Sequence, residues 1–439
     1  MLRIVRFYLP LTASALLASL THVIINGVLA RSPNPDLTIS GYAVALSLSF
    51  ILEQAIAPLR QTSAKYVRDR HTFRQMIRMI AVILSFIAFF NVLIAWTPLG
   101  TYFFRYVYGA DVNLLDSTVH AYQILMFVNV FSAARSLYQG IIIQQLQTRW
   151  MTIGIVIRLL TMAVLSWIMV EQGWTDDSRY GALLFLTGMA IETIIACWEG
   201  QTLASRLPEK LPEQPVRHWK PDIFPFYMPL LYGSLVSIVV GPATQTAMNH
   251  SVQPVLAIAA FAVASNLTGL ISGLATFLHQ AVLSFHEEEP RRVKQLTASV
   301  SIVSVLIQGF LAWTPPGHFI LERGLHLEGA LLHATLLILN ALLVRTALFP
   351  WIDYVNGRAM LHGVSKSIAY SKIGSVIVML SLLYTLVVLR PEWNGIIPAI
   401  AGSVVTGFEL AMNLYLYRNA VRRKGGDRSR VHVHRQKRI

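Results

Sequence analysis

The chain has 439 residues, of which 54% are hydrophobic and only 13% are charged, and its mean hydropathy is +0.54. Soluble domains carry about 25% charged residues, so the composition excludes an ordinary soluble protein and places most of the chain in lipid. The formal net charge is +14. The single cysteine argues against a disulfide or a thiolate metal site within the chain. The absence of a glycine-rich phosphate loop from the sequence argues against ATP hydrolysis.

Twelve apolar runs of about 20 residues or more follow one another along the chain, each long enough to cross a bilayer as a helix. They are too long and too continuously apolar for the strands of a membrane barrel, so we predict an all-α integral membrane protein. The predicted spans are 7–30, 37–63, 77–97, 118–144, 150–171, 180–204, 223–248, 253–284, 295–314, 328–351, 364–389 and 394–418.

The two halves of the chain repeat each other. Phe7-Tyr8-Leu9-Pro10-Leu11 recurs 219 residues later as Phe226-Tyr227-Met228-Pro229-Leu230, and Ala95-Trp96-Thr97-Pro98 recurs as Ala312-Trp313-Thr314-Pro315. Repeats of several membrane spans build many secondary transporters, whose substrate sites lie between the repeats. We therefore predict two pseudo-symmetric six-helix bundles, over 1–204 and 223–418, joined by a linker over 205–222 and followed by a basic tail over 419–439.

Basic residues are distributed unequally between the predicted loops. The even-numbered loops and the N-terminal segment carry many more Lys and Arg residues than the odd-numbered loops, which hold only Arg31, Arg105, Arg179, Arg323 and Arg390. The positive-inside rule then places both termini in the cytoplasm, and we expect a multi-pass protein of the cell membrane. The basic tail is expected to contact anionic lipid headgroups, and we expect no nucleic-acid partner because no binding fold accompanies the charge.

Basic residues inside predicted spans are the main functional clues, because each needs an acidic partner or a water-filled cavity. Six of them, taken as three pairs in corresponding spans of the two halves, indicate a cavity for an anion: Arg60 with His279, Arg135 with Arg345, and Arg158 with Lys372. A second interpretation remains open, in which Arg60 and Arg158 extend their charged ends to the cytoplasmic membrane interface and Arg135 pairs with a structural carboxylate.

Acids inside the predicted spans are fewer. Glu53 and Glu409 have two interpretations, as ion-pair partners of the bases or as carriers of a coupling proton, and Glu53 lies two helical turns from Arg60 on the same face. His22, in the first span, is either a proton relay or a packing residue. Gly269 and Gly273, four residues apart, predict close helix packing. No cofactor or metal site is predicted, and no nucleophile with a paired base indicates an enzyme.

Several stretches give the chain a resemblance to a known family. These are the repeated Phe-Tyr-x-Pro-Leu motif, the stretch 41–48, Ala57-Pro58-Leu59 with the basic loop 65–70, and Trp313-Thr314-Pro315. The chain resembles the progressive ankylosis protein family, within the superfamily that includes multidrug and toxin extrusion (MATE) proteins and lipid-linked oligosaccharide flippases. The resemblance implies a MATE-like fold and export of small multivalent anions such as pyrophosphate, nucleotides and citrate.

Other functions remain open on the sequence alone. A flippase for a lipid-linked phosphate would use the same basic residues, and a cation-coupled multidrug exporter belongs to the same superfamily. The multidrug alternative is weakened because the first span contains no acid, where many multidrug members carry an aspartate. A membrane scaffold without transport activity has no need for charges in the middle of its spans.

Overall fold

The computed structural model describes residues 1–106, 112–210, 217–324 and 327–436, and within these ranges every regular element is helical. Twelve helical segments are long and apolar enough to cross a membrane, which confirms the prediction of a twelve-span, all-α protein. Residues 211–216 of the predicted linker, and the side chains of the predicted tail from residue 423 onward, lie outside the described residues.

The described residues of the first half of the chain form eight α-helices. They are α1 (Leu2–Leu29), α2 (Pro35–Tyr66), α3 (Arg70–Trp96), α4 (Pro98–Tyr106), α5 (Val112–Leu125), α6 (Val128–Gln144), α7 (Arg149–Glu171) and α8 (Ser178–Ser205). Helices α5 and α6 together form the fourth span, Leu115–Gln144, with a short turn between them.

The second half begins with a π-helical turn, Trp219–Ile223, that leads into the seventh span. Its α-helices are α9 (Phe224–Ser237), α10 (Val240–Asn249), α11 (Pro254–Gly273), α12 (Leu278–Phe285), α13 (Pro290–Trp313), α14 (Pro315–Phe319), α15 (Gly329–Leu361), α16 (Lys366–Leu389) and α17 (Ile396–Gln436).

The chain forms two compact units whose boundaries lie inside helices. The N-unit is Leu9–Leu231, and the C-unit combines Met1–Tyr8 with Tyr232–Ile439. The boundaries therefore fall beside Pro10 and Pro229 and not in the predicted linker over 205–222. The physical reason is that the first turns of α1, and the turns at the start of the seventh span, pack on the unit formed by the other half of the chain.

Each unit packs its helices in the same order. In the N-unit, α2 packs on α6, and α8 packs on both α6 and α7. In the C-unit, α11 and α12 pack on α15, and α17 packs on both α15 and α16. The fourth span of each repeat therefore packs against both earlier and later helices of its unit.

The Phe-Tyr-x-Pro-Leu motif makes the same contacts in both units. In the C-unit, Phe7 packs edge-on against Phe285 at 5.1 Å between ring centroids, and the Tyr8 hydroxyl donates to the Leu274 carbonyl. In the N-unit, the Phe226 ring lies 5.3 Å from the Tyr66 ring, and the Tyr227 hydroxyl donates to the Ala55 carbonyl at 2.5 Å. All four contacts are related by the 219-residue offset, so the motif repeats because each copy attaches a helix start to a bundle.

Two glycines bring the central helix of each unit against its neighbour. A Cβ at Gly140 would lie 2.4 Å from the Ser63 Cβ, and one at Gly357 would lie 2.7 Å from the Val282 Cβ. Ser63 and Val282 are themselves 219 residues apart, so Gly140 and Gly357 are equivalent positions. The fourth spans of the two repeats are therefore aligned by an offset of 217. A Cβ at Gly269, where the sequence predicts close packing, meets no atom within 4 Å.

We expect Gly140→Ala to destabilise the N-unit, because the added methyl group has to push α6 away from α2. Overpacking of this kind costs about 1–3 kcal/mol. Thermal unfolding of the purified protein measures the effect. Gly269→Ala is the matched control, since the same methyl enters open space and should leave the melting temperature unchanged. Equal melting temperatures for the two variants would contradict the close approach at Gly140.

Candidate functional site

A buried carboxylate on α8 is the centre of an ion-pair network in the N-unit. Glu192 Oε2 lies 2.9 Å from Arg135 Nη1 and 2.8 Å from Arg158 Nη1. Its other oxygen accepts a hydrogen bond from Gln139 Nε2 at 3.1 Å. The Glu192 side chain is only 7% exposed, so one carboxylate neutralises guanidinium groups from the helices on either side of it.

A second carboxylate, on α2, extends this network. Glu53 Oε1 accepts from the Ser132 hydroxyl at 2.5 Å and lies 3.5 Å from Arg135 Nη2. Arg60, two turns further along α2, lies close enough to Glu53 and Glu192 to interact electrostatically with both. The network thus contains three bases and two acids, which leaves one positive charge in excess.

The packing of the N-unit distinguishes between the two interpretations of its arginines. Arg158 is only 4% exposed and reaches inward to Glu192, so it does not extend to the interface. Arg135 lies between two carboxylates, which agrees with the interpretation of a structural partner. Glu53 is an ion-pair partner of Arg135. Arg135 and Arg158 pair with carboxylates on other helices, so the network joins α2, α6, α7 and α8.

His22 of α1 lies between aromatic rings. Its imidazole stacks on Phe185 at 5.6 Å between ring centroids and meets the Phe50 ring edge-on at 5.8 Å. The ring therefore packs as an aromatic side chain does, and no hydrogen bond joins it to another described residue.

The C-unit has a related but smaller network. Lys372 Nζ lies 2.7 Å from Glu409 Oε1, and the Ser375 hydroxyl donates to Glu409 Oε2 at 3.3 Å. The 217-residue offset relates Glu409 to Glu192 and Ser375 to Arg158. Each unit thus buries one carboxylate at the same position, but in the C-unit a serine stands where the N-unit has an arginine. Lys372 compensates from one turn earlier on α16, with its side chain 32% exposed.

Arg345 differs from every other basic residue in these networks. It is the seventeenth residue of the 33-residue helix α15, and it is exposed. Its guanidinium lies beside Gly402 of α17, which has no side chain to cover it. No hydrogen bond or ion pair joins Arg345 to a described residue, although the charge of Glu409 acts on it. Arg345 is therefore a mid-span cation without a bonded counter-ion in the described part of the chain.

Arg135 and Arg345 do not occupy equivalent positions, contrary to the pairing predicted from the sequence. The 217-residue offset aligns Arg135 with Ile352 and Arg345 with Val128, so the two arginines stand two helical turns apart in their repeats. Their different surroundings follow from this shift. Arg135 forms an ion pair with the buried carboxylate of its unit, Glu192, and Arg345 forms none with Glu409.

His279 pairs with a carboxylate that the sequence analysis missed. Its Nδ1 lies 3.0 Å from both oxygens of Asp353, and its backbone N–H donates to Asp353 Oδ2 at 2.8 Å. This N–H is free to do so because the eighth span is broken between Gly273 and Leu278. Asp353 lies just beyond the predicted end of the tenth span at residue 351, but α15 continues to Leu361.

The fold is that of the MATE and MOP superfamily transporters. A MOP superfamily transporter from Pyrococcus furiosus, described as having a binding pocket of reversed polarity that suggests a different function, superposes with a TM-score of 0.73 at 13% identity. A multidrug resistance MATE family transporter in its outward-facing conformation gives 0.74 at 14% identity. Both alignments cover 95% of this chain and 95% of the other.

A MATE protein in its straight conformation gives a TM-score of 0.71 at 15% identity, and the alignment covers 95% of this chain and 96% of that one. No family model matches the chain, and no curated protein matches it in sequence. At these identities the likeness concerns the fold, and the chemistry of the site has to be argued from the residues of this chain.

Proposed function

We propose that this multi-pass membrane protein is an alternating-access exporter of a small multivalent anion, of the class of citrate, pyrophosphate or a nucleotide. The observation that carries the proposal is Arg345, an exposed residue at the middle of a span whose guanidinium has no carboxylate bonded to it among the described residues. The resemblance of the sequence to the progressive ankylosis protein family supports the same class of substrate.

The argument from Arg345 is one of cost. A charged side chain in contact with the centre of a bilayer costs at least about 2.5–3.5 kcal/mol, so arginines there face water or a partner. Because Arg345 has no bonded partner, we infer that it faces a water-filled cavity. A fixed cation in such a cavity attracts anions, and its field is strengthened by apolar walls.

The neighbouring charges favour an anion of more than one charge. Lys372 is partly exposed, and Glu409, the carboxylate bound to it, also acts on Arg345. An anion that binds Arg345 has a second base available if it displaces Glu409 from Lys372. In the C-unit, the two bases Arg345 and Lys372 are accompanied by the single acid Glu409. The N-unit network likewise has one more base than acids, with three bases and two acids. We therefore propose Arg345 and Lys372 as the substrate-binding residues, with Glu409 as their competitor.

The alternatives are weaker on the same residues. A cation-coupled multidrug exporter needs an acid that is free to bind its cation, but Glu53, Glu192 and Glu409 all lie within ion-pair distance of a base. A scaffold has no need for an unbonded mid-span arginine. A flippase for a lipid-linked phosphate would use the same cations, and it is retained as an outcome of the test. The distribution of basic loops supports cytoplasmic termini and a place in the cell membrane, with the tail on anionic headgroups.

Reconstitution into proteoliposomes tests the proposal. Uptake of radiolabelled citrate, pyrophosphate and ATP is compared with uptake of a cationic dye and with translocation of a fluorescent lipid phosphate. We expect saturable uptake of at least one multivalent anion and none of the dye. Transport of the dye without the anions would overturn the proposal, and translocation of the lipid phosphate alone would assign the protein as a flippase.

A further inference from the structure

A group of three basic side chains and two tyrosines lies at the end of the C-unit, away from the mid-span residues of the networks. It consists of His286, Tyr354, Arg358, His362 and Tyr417. These residues lie at or near the ends of the eighth, tenth and twelfth spans, which finish at Phe285, Leu361 and Arg422. The group is therefore located where three helices leave the apolar part of the membrane.

Arg358 is held between two tyrosines. Its Nη2 donates to the Tyr417 hydroxyl at 3.1 Å, and its guanidinium carbon lies 4.8 Å from the Tyr417 ring centroid and 5.8 Å from that of Tyr354. Both tyrosines are buried, at 5% and 7% exposure. His362 contacts the same tyrosine, with Nδ1 3.4 Å from the Tyr417 hydroxyl. The guanidinium is thus fixed in orientation by rings and not by an acid.

The side chains around Arg358 include other bases, and no carboxylate is bonded to Arg358 among the described residues. His286 meets the Tyr354 ring edge-on at 5.6 Å, and the positive charges of Arg358 and His362 act on it. Arg358 Nε and His286 Nδ1 are buried and make no hydrogen bond with the described residues. Of the adjacent acids, Glu288 is bound to Arg3 at 3.3 Å and Glu289 to Arg292 at 2.8 Å. The charge of Glu287 acts on His286, but no ion pair joins the two among the described residues.

We propose that His286, Arg358 and Tyr417 form a phosphate-binding site at this end of the C-unit. The basic side chains of His286, Arg358 and His362 lie close together there. No carboxylate is bonded to Arg358 or His286 among the described residues, and a bound anion would offset the repulsion between the three bases. A guanidinium, a tyrosine hydroxyl and an imidazole supply the N–H and O–H donors that phosphate oxygens accept. The ligand is a phosphate group, either on a lipid headgroup or on a soluble molecule.

Thermal unfolding of the purified full-length protein in detergent tests the site and distinguishes the two sources. One arm adds inorganic phosphate, with chloride at matched ionic strength as the reference. The other arm adds a short-chain phosphatidic acid, with a short-chain phosphatidylcholine as the reference. We expect stabilisation by at least one phosphate probe. Stabilisation by phosphatidic acid alone identifies a headgroup site, and stabilisation by inorganic phosphate identifies a site for soluble ligands.

Substitutions locate the binding. Arg358→Gln should weaken the affinity for the effective probe roughly tenfold or more, because it removes a charge-assisted hydrogen bond. Lys366→Gln is the matched control, since it removes the same charge from an exposed position at the same end and should change the affinity little. Tyr417→Phe removes the hydroxyl donor but keeps the ring, and its affinity for the probe should also fall. This variant tests the site if Arg358→Gln folds poorly. Equal affinities of wild type and both cluster variants, or no stabilisation by either probe, would overturn the proposal.

The pH dependence supplies an independent check, with sulfate as the probe because its charge is constant from pH 5.5 to 8. Burial, and then the charges of Arg358 and His362, lower the pKa of His286, while Glu287 opposes the shift. Tyr354 and Tyr417 are the other titratable groups on the helices packed there. An anion favours the protonated imidazole, so sulfate should bind more tightly as the pH falls. His286→Phe should reduce this dependence, and an unchanged dependence would exclude His286 from the site.

Discussion

Arg345→Gln is expected to weaken saturable anion uptake strongly and to leave the folded protein as stable as the wild type. Arg345 is exposed and makes no hydrogen bond or ion pair with a described residue, so removal of its guanidinium breaks no such bond within the C-unit. What it removes is the proposed charge-assisted contact with the substrate. Such hydrogen bonds contribute about 1.5–3 kcal/mol, which corresponds to a loss of roughly 10- to 150-fold in affinity.

The experiment combines uptake into proteoliposomes with thermal unfolding of the same preparations. Arg345→Lys keeps the charge without the planar pair of donors and should retain part of the uptake. Arg135→Gln is the contrasting variant, because Arg135 is bonded to Glu53 and Glu192 and its loss should lower the melting temperature. If Arg345→Gln transports anions normally, or fails to fold, Arg345 is not the substrate-binding cation proposed above.

The fold could be predicted because it depends on local and periodic properties of the sequence. Each span is a run of apolar residues, and the repeated Phe-Tyr-x-Pro-Leu motif shows that the halves correspond. The unit boundaries could not be predicted in this way. The aromatic rings of the motif contact residues more than 150 positions distant, and only the folded chain shows which bundle each helix start joins.

The sequence identified most of the buried charged residues but not which of them pair with each other, for reasons that lie in helix register. Four of the six predicted positions, Arg60, Arg135, Arg158 and Lys372, belong to the two networks, whereas His279 pairs with Asp353 and Arg345 has no bonded partner among the described residues. The partner of each depends on helix register. The 217-residue offset, visible in the Trp-Thr-Pro motif, would have related Glu192 to Glu409 had it been extended to the sixth and twelfth spans. It would also have separated Arg135 from Arg345. Asp353 was missed because the tenth span was predicted to end at residue 351, whereas α15 contains Pro350 in its interior and continues to Leu361.

Glu192→Gln should be among the most destabilising single substitutions in the N-unit. The carboxylate binds Arg135 and Arg158 at once, and its side chain is 7% exposed. Arg135 keeps Glu53 as a partner when Glu192 is neutralised, but Arg158 has no other carboxylate within ion-pair distance among the described residues. Breaking a buried ion pair from one side costs about 3–5 kcal/mol, because the remaining charge stays buried without compensation.

The repeat supplies the control for this substitution. Glu409→Gln removes the carboxylate at the equivalent position of the C-unit, where Lys372 is 32% exposed and can reach water, so its effect on the melting temperature should be clearly smaller. The double variant with Arg158→Met removes the orphaned charge and should recover much of the stability lost in Glu192→Gln, as a double-mutant cycle would show. Additive losses in that cycle, or equal effects of the two single carboxylate variants, would mean that Glu192 does not neutralise Arg158 in the folded protein.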